Sequence, residues 1–288
     1  MAQMLLIVNP VAGGGRALRA EPEVVRTLAQ SGWEVTAVHT TSAAHATQLA
    51  AGASAGQVVG VLAGDGVLAR ALEGAYQSGA VVAPLPGGRG NDLIRVLGVP
   101  TDPVQAARRL NTQARERAVD VGRCNGRFFM GVAALGIAAL ANQVANETEW
   151  LTGTPVYVWG VLKALATARP VRYTITVDGV TATRSGWNVA VGNGGYLGGG
   201  MHVCPGARLD DGLLEFNFIR YAPRFLVAPV LGKIFSGRHV EMPEVTARQA
   251  REIRISADRP AAVYADGEYL DSLPATFTVE PAAVRVLA

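Results

Sequence analysis

Apolar positions along this chain follow two different patterns. Up to about residue 120, short unbroken apolar runs alternate with stretches whose apolar residues recur at helical spacing. Met4–Val8, Trp33–Val38, Val58–Leu62 and Ala80–Leu85 read as strands. Ala17–Ser31, Ala43–Ala53, Val67–Gln77, Asp92–Leu97 and Asp102–Leu110 read as helices, several closed by Gly32, Gly79 or Gly98. Pro103 suits the first turn of the last of these. Strands that are apolar on both faces and separated by helices predict a parallel sheet covered on both sides.

Beyond Val119 the pattern changes. Val119–Cys124 and Arg127–Val132 flank Asn125-Gly126, and Tyr173–Val177 and Val180–Arg184 flank Asp178-Gly179. Both pairs are hairpin signals. Further strand-like runs fall at Trp187–Val191, Leu213–Ile219, Glu252–Ser256, Ala261–Ala265, Ala275–Val279 and Val284–Leu287. Helices are expected near Ala138–Glu149, Pro155–Ala168 and Pro223–Phe235. The second half is therefore expected to be mainly antiparallel β, a sandwich. We place the domains at residues 1–122 and 123–288, with the last residues able to pack back on the first domain. A cleft between two such domains is a common place for a small-molecule site.

The chain has 288 residues, of which 49% are hydrophobic and 17% charged, enough for large cores and too apolar for a disordered chain. A net charge of +3 without a basic stripe argues against a nucleic-acid binder. Lysine occurs only at Lys163 and Lys233. Cys124 and Cys204 are far apart and no Cys/His cluster exists, so neither zinc nor a disulfide scaffold is expected, and a reducing cytoplasmic setting fits. The N-terminus lacks the basic segment of a signal peptide. The longest apolar stretch, Phe128–Ala141, is shorter than the ~20 residues of a spanning helix.

Three glycine-rich segments each follow a strand of the expected parallel sheet: Asn9–Arg16, Ala63–Gly66 and Pro86–Asp92. Glycine lets main-chain N–H groups approach a phosphate, and a following helix N-terminus favours negative charge. There is no Walker A or G-x-G-x-x-G pattern. Each segment alone also suits an ordinary βα loop. All three belong at the carboxyl edge of the sheet, where ligands of open α/β sheets bind. Asp65 would hold its loop or a magnesium-bound water, Asn91 or Asp92 would cap the next helix, and Arg89 would reach a phosphate. In the second half, Gly194–Met201 is a further glycine-rich run, and Asp210-Asp211-Gly212 suits either a turn or a hard-cation site. Asp266-Gly267-Glu268 suits a hairpin, and a carboxylate there could take a proton from a substrate hydroxyl.

Taken in order, NPVAGGG (9–15), AGDG (63–66), PGGRGND (86–92), YLGGGM (196–201), PGARLDDG (205–212) and DGE (266–268) resemble the diacylglycerol kinase catalytic-domain family, the bacterial lipid kinases related to sphingosine kinases. The resemblance implies an N-terminal α/β domain with a parallel sheet of the NAD-kinase and phosphofructokinase kind, and a mainly antiparallel β-sandwich domain for the lipid. It implies ATP and Mg2+ as cofactors. Asn9, Pro10 and Gly13, Thr40, Gly64, Asp65 and Gly66, and Gly88, Arg89 and Asn91 would meet the nucleotide. Asp211, with main-chain oxygens of Arg208 and Leu213, would hold magnesium. Glu268 would be the general base, with Asp266 beside it. The sequence departs from the family pattern at Ala63, at Val67, where a hydroxyl is lost, at Arg89, where many members have threonine, and at Gly136-Ile137-Ala138, where many have an aspartate.

The expected activity is transfer of the γ-phosphoryl of ATP to the free hydroxyl of a lipid such as diacylglycerol. A kinase of a soluble substrate such as NAD, and a non-catalytic nucleotide-binding regulator, are the alternatives. No nucleic-acid partner is expected. A homodimer is left open. The lipid must come from a bilayer, so peripheral membrane contact is considered. Tyr157, Trp159 and Leu162, with Trp150 upstream, fall on one helix. Phe225, Leu226, Leu231, Ile234 and Phe235 fall on another, near Arg224, Lys233 and Arg238. These residues suit an interfacial face or ordinary core packing.

Overall fold

The computed structural model describes residues 2–148 and 154–288. The chain divides into two units, Met1–Val119 with Ala282–Ala288, and Asp120–Pro281.

The first unit alternates strand and helix: β1 (Ala2–Val8), α1 (Arg16–Gln30), β2 (Trp33–His39), α2 (Ala43–Ala51), β3 (Val58–Ala63), α3 (Asp65–Ser78), β4 (Val81–Pro86), α4 (Asp92–Val96) and α5 (Pro103–Thr112). All pairings among these strands are parallel. β3 lies between β1 and β4, and β2 lies outside β1. The central strands are apolar along their whole length because helices cover both faces. Ser42 caps α2 by accepting from the His45 amide, and Asp102 caps α5 by accepting from the Gln105 amide. The chain end returns here, with Arg285 and Val286 pairing in parallel with Val81 and Val82.

The second unit contains β5 (Glu116–Cys124), β6 (Arg127–Phe129), β7 (Val132–Gly136), α6 (Ile137–Glu147), α7 (Thr154–Thr167), β8 (Val171–Val177), β9 (Val180–Gly192), β10 (Leu214–Arg220), α8 (Arg224–Lys233), β11 (Val245–Ala250), β12 (Glu252–Ala257), β13 (Ala262–Ala265), β14 (Glu268–Ser272) and β15 (Ala275–Leu287). β5 starts before the division between units, and β15 continues past it.

Expectation and structure differ at several strands, and β11 lies where no strand is expected. The runs read as two strands each, at 180–191 and 275–287, are single strands of 13 residues. The first part of β9 pairs with β8, and the part after Gly186 pairs with β7 and β10, so one strand serves both layers of the sandwich. The run read as one strand at 127–132 is broken, with β6 ending at Phe129 and β7 starting at Val132. Between the sheets lies a core containing Phe129, Tyr173, Val189, Val191, Phe216, Phe218, Ile253 and Phe277. α6, α7 and α8 form a separate apolar layer around Trp187 and Ile219, with Ala141, Ala164, Val227 and Val230 inside. No helix among the described residues is long and apolar enough to cross a membrane.

Candidate active site

In the first unit, the strand order brings the loops after β1, β3 and β4 out of adjacent strand ends. A Cβ built on Gly88 would lie 2.5 Å from the Gly64 Cα, and one on Gly13 would lie 2.5 Å from the Gly87 carbonyl oxygen. The three loops therefore touch main chain to main chain, an approach that a side chain at either position would block. The expected cradle residues Gly13, Gly64 and Gly88 are brought together. Asn9 is tied to β3 by its amide, which donates to the Leu62 carbonyl at 3.1 Å.

Asp65 joins the second loop to the third. Its Oδ1 accepts from the Leu93 amide at 2.9 Å, and the Asp92 and Asn91 amides also bond to the carboxylate. Burial pushes the Asp65 carboxyl above its ordinary range, and these amides offset part of that shift. Asp65 thus caps α4 from a different loop. The expectation that Asn91 or Asp92 caps this helix is corrected for Asn91. Asn91 adopts φ 52° and makes no cap bond. Instead its Oδ1 accepts from the Gly88 amide at 3.0 Å, and its Nδ2 donates to the Gly88 carbonyl at 3.2 Å, which clamps the third loop. Thr40 lies at the same edge after β2. Its hydroxyl donates to the Ser42 carbonyl at 2.6 Å, so it shapes that turn.

Arg89 is exposed, and no carboxylate pairs with it among the described residues. Arg19 donates to the Gly14 carbonyl at 3.1 Å and adds a second cation at the first loop. A main-chain cradle beside the N-termini of α1 and α3, with unneutralised guanidinium charge, fits a polyphosphate.

In the second unit, Asp266 and Gly267 form the β13–β14 turn and Glu268 opens β14, exposed. Asp266 accepts from the Met130 amide through Oδ2 and from the Gly131 amide through Oδ1, both at 2.8 Å. A Cβ on Gly131 would lie 2.7 Å from that Oδ1, so glycine is needed there for the carboxylate to approach. With both oxygens engaged, Asp266 pins the hairpin to the β6–β7 junction. Asn142 on α6 donates to the Gly267 carbonyl at 3.3 Å from the other side.

Asn142 also lies at the wall of an apolar cleft. The same face of α6 contributes Ile137, Ala138 and Ala141. Opposite stand Val161 of α7, Leu231 and Ile234 at the end of α8, and Leu197 and Met201 of the YLGGGM segment. Leu197 and Met201 bridge to each other, which closes the glycine run into a turn. Asn188 of β9 accepts from the Ala138 amide at 2.8 Å and starts α6 at the cleft.

The acidic loop 205–213 is held by residues that the sequence patterns did not single out. Asp120, 2% exposed, accepts from the Gly212 amide at 2.7 Å through Oδ2, while its own amide donates to the Leu209 carbonyl at 2.7 Å. Glu215 accepts from the Gly206 amide at 2.5 Å, and burial pushes its carboxyl up. Gln249 donates to the Gly206 carbonyl at 3.1 Å and to the Asp211 Oδ2 at 3.4 Å. Asp211 Oδ1 accepts from the Leu213 amide at 3.0 Å. Arg208 points away to Asp210, at 3.1 Å. No group of three or more His, Cys, Asp or Glu able to hold a metal forms among the described residues. The donor set available around Asp211 is one carboxylate with main-chain carbonyls. That all-oxygen set suits magnesium, which keeps several waters and shares phosphate oxygens.

Of the residues expected on an interfacial face, Trp159, Leu162, Phe225, Leu226 and Phe235 are exposed, Phe225 by 74%, with Val158 beside them. Leu231 and Ile234 turn inward to the cleft. Trp150 and the Tyr157 side chain lie outside the described residues.

Glycine-rich loops that meet at one edge of a parallel sheet, together with a sandwich carrying an acid hairpin and an apolar cleft, fit a phosphotransferase built of two units. Residues 3–124 match the diacylglycerol kinase catalytic domain, and residues 131–288 match the YegS C-terminal NAD kinase beta sandwich-like domain. The chain is 32% identical over 295 aligned positions to a Mycobacterium tuberculosis diacylglycerol kinase, covering 100% of this chain and 95% of that one. It is 30% identical to a Pseudomonas fluorescens protein named a probable lipid kinase YegS-like, covering 98% of this chain and 94% of the other. A solved Bacillus anthracis structure, by name a diacylglycerol kinase candidate, superposes with a TM-score of 0.83 at 26% identity, covering 99% of this chain and 94% of that one. The chain belongs to the diacylglycerol kinase family of lipid kinases, enzymes that transfer phosphate to a hydroxyl acceptor.

Proposed function

We propose that this kinase transfers the γ-phosphoryl of ATP to the hydroxyl of a diacylglycerol-like lipid. The observation that supports this reading is a narrow apolar cleft of about 30 Å³ lined by Ile137, Ala138, Val161, Leu197, Met201 and Ile234, with Asn142, the residue bonded to the Gly267 carbonyl next to Glu268, on its wall. An apolar cleft whose wall is bonded to a hairpin carrying a carboxylate suits a hydroxyl on an apolar body. It does not suit NAD, whose charge and many polar groups would be stranded there.

The residues divide the work. The main chain of Gly13, Gly64 and Gly88 surrounds the phosphates, Asp65 and Asn91 hold those loops in place, and Arg89 offsets negative charge. Asp211 and the carbonyl oxygens of Arg208 and Leu213 would hold magnesium, which when bound neutralises charge on the phosphates. Asp266 and Asn142 fix the hairpin so that Glu268 accepts the proton of the lipid hydroxyl during in-line transfer. The exposed faces of α7 and α8 carry no acid in their sequences and are bordered by Lys163, Arg224 and Lys233, which suits contact with an anionic bilayer from which the lipid is drawn.

Phosphate transfer from ATP to diacylglycerol in mixed micelles tests the reading, comparing wild type with Glu268→Gln. We expect wild-type turnover and a loss of about 10²–10⁴-fold in the variant. No transfer to any lipid of a panel with a free hydroxyl, or an undiminished rate in the variant, would overturn it.

A further inference from the structure

Two clamps of the second unit meet at one side chain. Asn193 follows β9 and stands just before the glycine-rich run Gly194–Met201. It is 0% exposed. Its Nδ2 donates to the Asp120 carbonyl at 3.0 Å and to the Met130 carbonyl at 3.1 Å. Carbonyl oxygens only accept, so the NH2 end of the amide is the end that faces them. The Asn193 Oδ1 is buried without a partner.

From Asn193 the hydrogen bonds run two ways. The Asp120 carboxylate holds the Gly212 amide at 2.7 Å, in the acidic loop beside Asp211. The Met130 amide donates to Asp266 at 2.8 Å, in the hairpin that carries Glu268. Gly131 reinforces this second arm. Its amide donates to Asp266 at 2.8 Å, and its carbonyl accepts from the Asn193 amide at 3.0 Å and the Gly194 amide at 2.9 Å. Met130-Gly131 thus gives both amides to Asp266 and both carbonyls to residues 193 and 194. A continuous run of hydrogen bonds joins the acidic loop to the hairpin through the two hydrogens of one side chain.

We propose that Asn193 is a positioning residue for phosphoryl transfer, fixing the hairpin of Glu268 relative to the acidic loop of Asp211. A buried amide oxygen without a partner is rare, because its desolvation goes uncompensated. An apolar side chain would remove that cost but would strand the Asp120 and Met130 carbonyls inside the fold. The amide is therefore held for its two hydrogens, and those hydrogens tie together the supports of two groups that must act at one phosphoryl. A displacement of about 1 Å between such groups costs on the order of 10²-fold in rate. The effect on turnover rests on the phosphotransfer reading; the run of hydrogen bonds does not.

The test compares wild type with Asn193→Leu, which has no donor, and Asn193→Ser, which keeps one. Val191→Ala opens a cavity in the core beside β9 and touches none of these hydrogen bonds, so it controls for lost packing. Hydrogen exchange reads the amides of Met130, Gly131 and Gly212, and lipid phosphorylation reads kcat and KM for ATP. We expect exchange at all three amides to rise about tenfold in Asn193→Leu, the factor of roughly one hydrogen bond, and less in Asn193→Ser. The kcat of Asn193→Leu should fall about 10–100-fold while KM for ATP stays within about twofold. Val191→Ala should lose stability and keep its kcat. If Asn193→Leu does not fold, Asn193→Ser carries the test, with faster exchange and a several-fold lower kcat expected. Unchanged exchange at these amides, or a kcat that falls no further than in Val191→Ala, overturns the proposal. Absence of lipid turnover in wild type would count against the phosphotransfer reading instead, and the exchange rates alone would then decide whether Asn193 joins the two clamps.

Discussion

Asp65 is the strongest test of the loop cradle, because one carboxylate joins two of its three loops. Asp65→Ala removes the acceptor of the Leu93 amide at 2.9 Å and, with it, the side-chain cap that α4 receives from the second loop. Losing the cap costs about 1–2 kcal/mol, which includes leaving the part-buried Leu93 amide unpaired. That lowers the melting of the first unit by roughly 5–10 °C. Nucleotide affinity should fall by about tenfold as the third loop loosens. Asp65→Asn keeps an oxygen in place and discards the charge. Burial raises the folded-state value of Asp65 above its ordinary 3.8, so the unfolded chain releases that proton first as pH rises. Wild type therefore loses stability from that ordinary value up through the raised one, and Asn does not. The stability of Asp65→Asn relative to wild type should improve as pH rises from below about 4 towards neutrality. Hydrogen exchange of residues 86–98, thermal melts across pH and ATP titration read these effects. If Asp65→Ala keeps wild-type exchange in α4 and wild-type ATP affinity, Asp65 does not hold the third loop.

Three further perturbations address the second unit. Met201→Trp narrows the apolar cleft, so KM for long-chain diacylglycerol should rise several-fold more than KM for a short-chain analogue; equal changes would disconnect the cleft from the acyl chains. Asp120→Ala frees the Gly212 amide and loosens the acidic loop, so half-activation should need severalfold more magnesium while the rate at saturating magnesium recovers; Asp211→Ala should not recover. Leu162→Glu with Phe225→Glu should abolish sedimentation with anionic vesicles and leave ATP affinity unchanged; unchanged sedimentation would remove α7 and α8 as the docking face.

The first unit was largely legible in the sequence because its signals are local. Buried strands read as apolar runs, α1 to α5 show helical spacing or caps, and glycines mark where chain must approach chain. The glycine loops could be assigned to one sheet edge because parallel strands joined by helices put every such loop on the same side. The family motifs also located Asp211, Asp266 and Glu268 as neighbours of turns. What the sequence could not carry was whatever depends on a partner far along the chain. β9 is exposed over its first part and buried over its second, so its pattern splits where the strand does not. The contacts of Asp120 to Gly212, Asn142 to Gly267 and Asn188 to Ala138 rest on single polar residues with no motif around them, and the motif that holds Asp65 does not reveal its bond to the Leu93 amide. Each works only because folding brings its oxygen or amide to an unpaired main-chain group tens of residues away. A buried main-chain donor must be satisfied, but only the tertiary structure decides by which side chain.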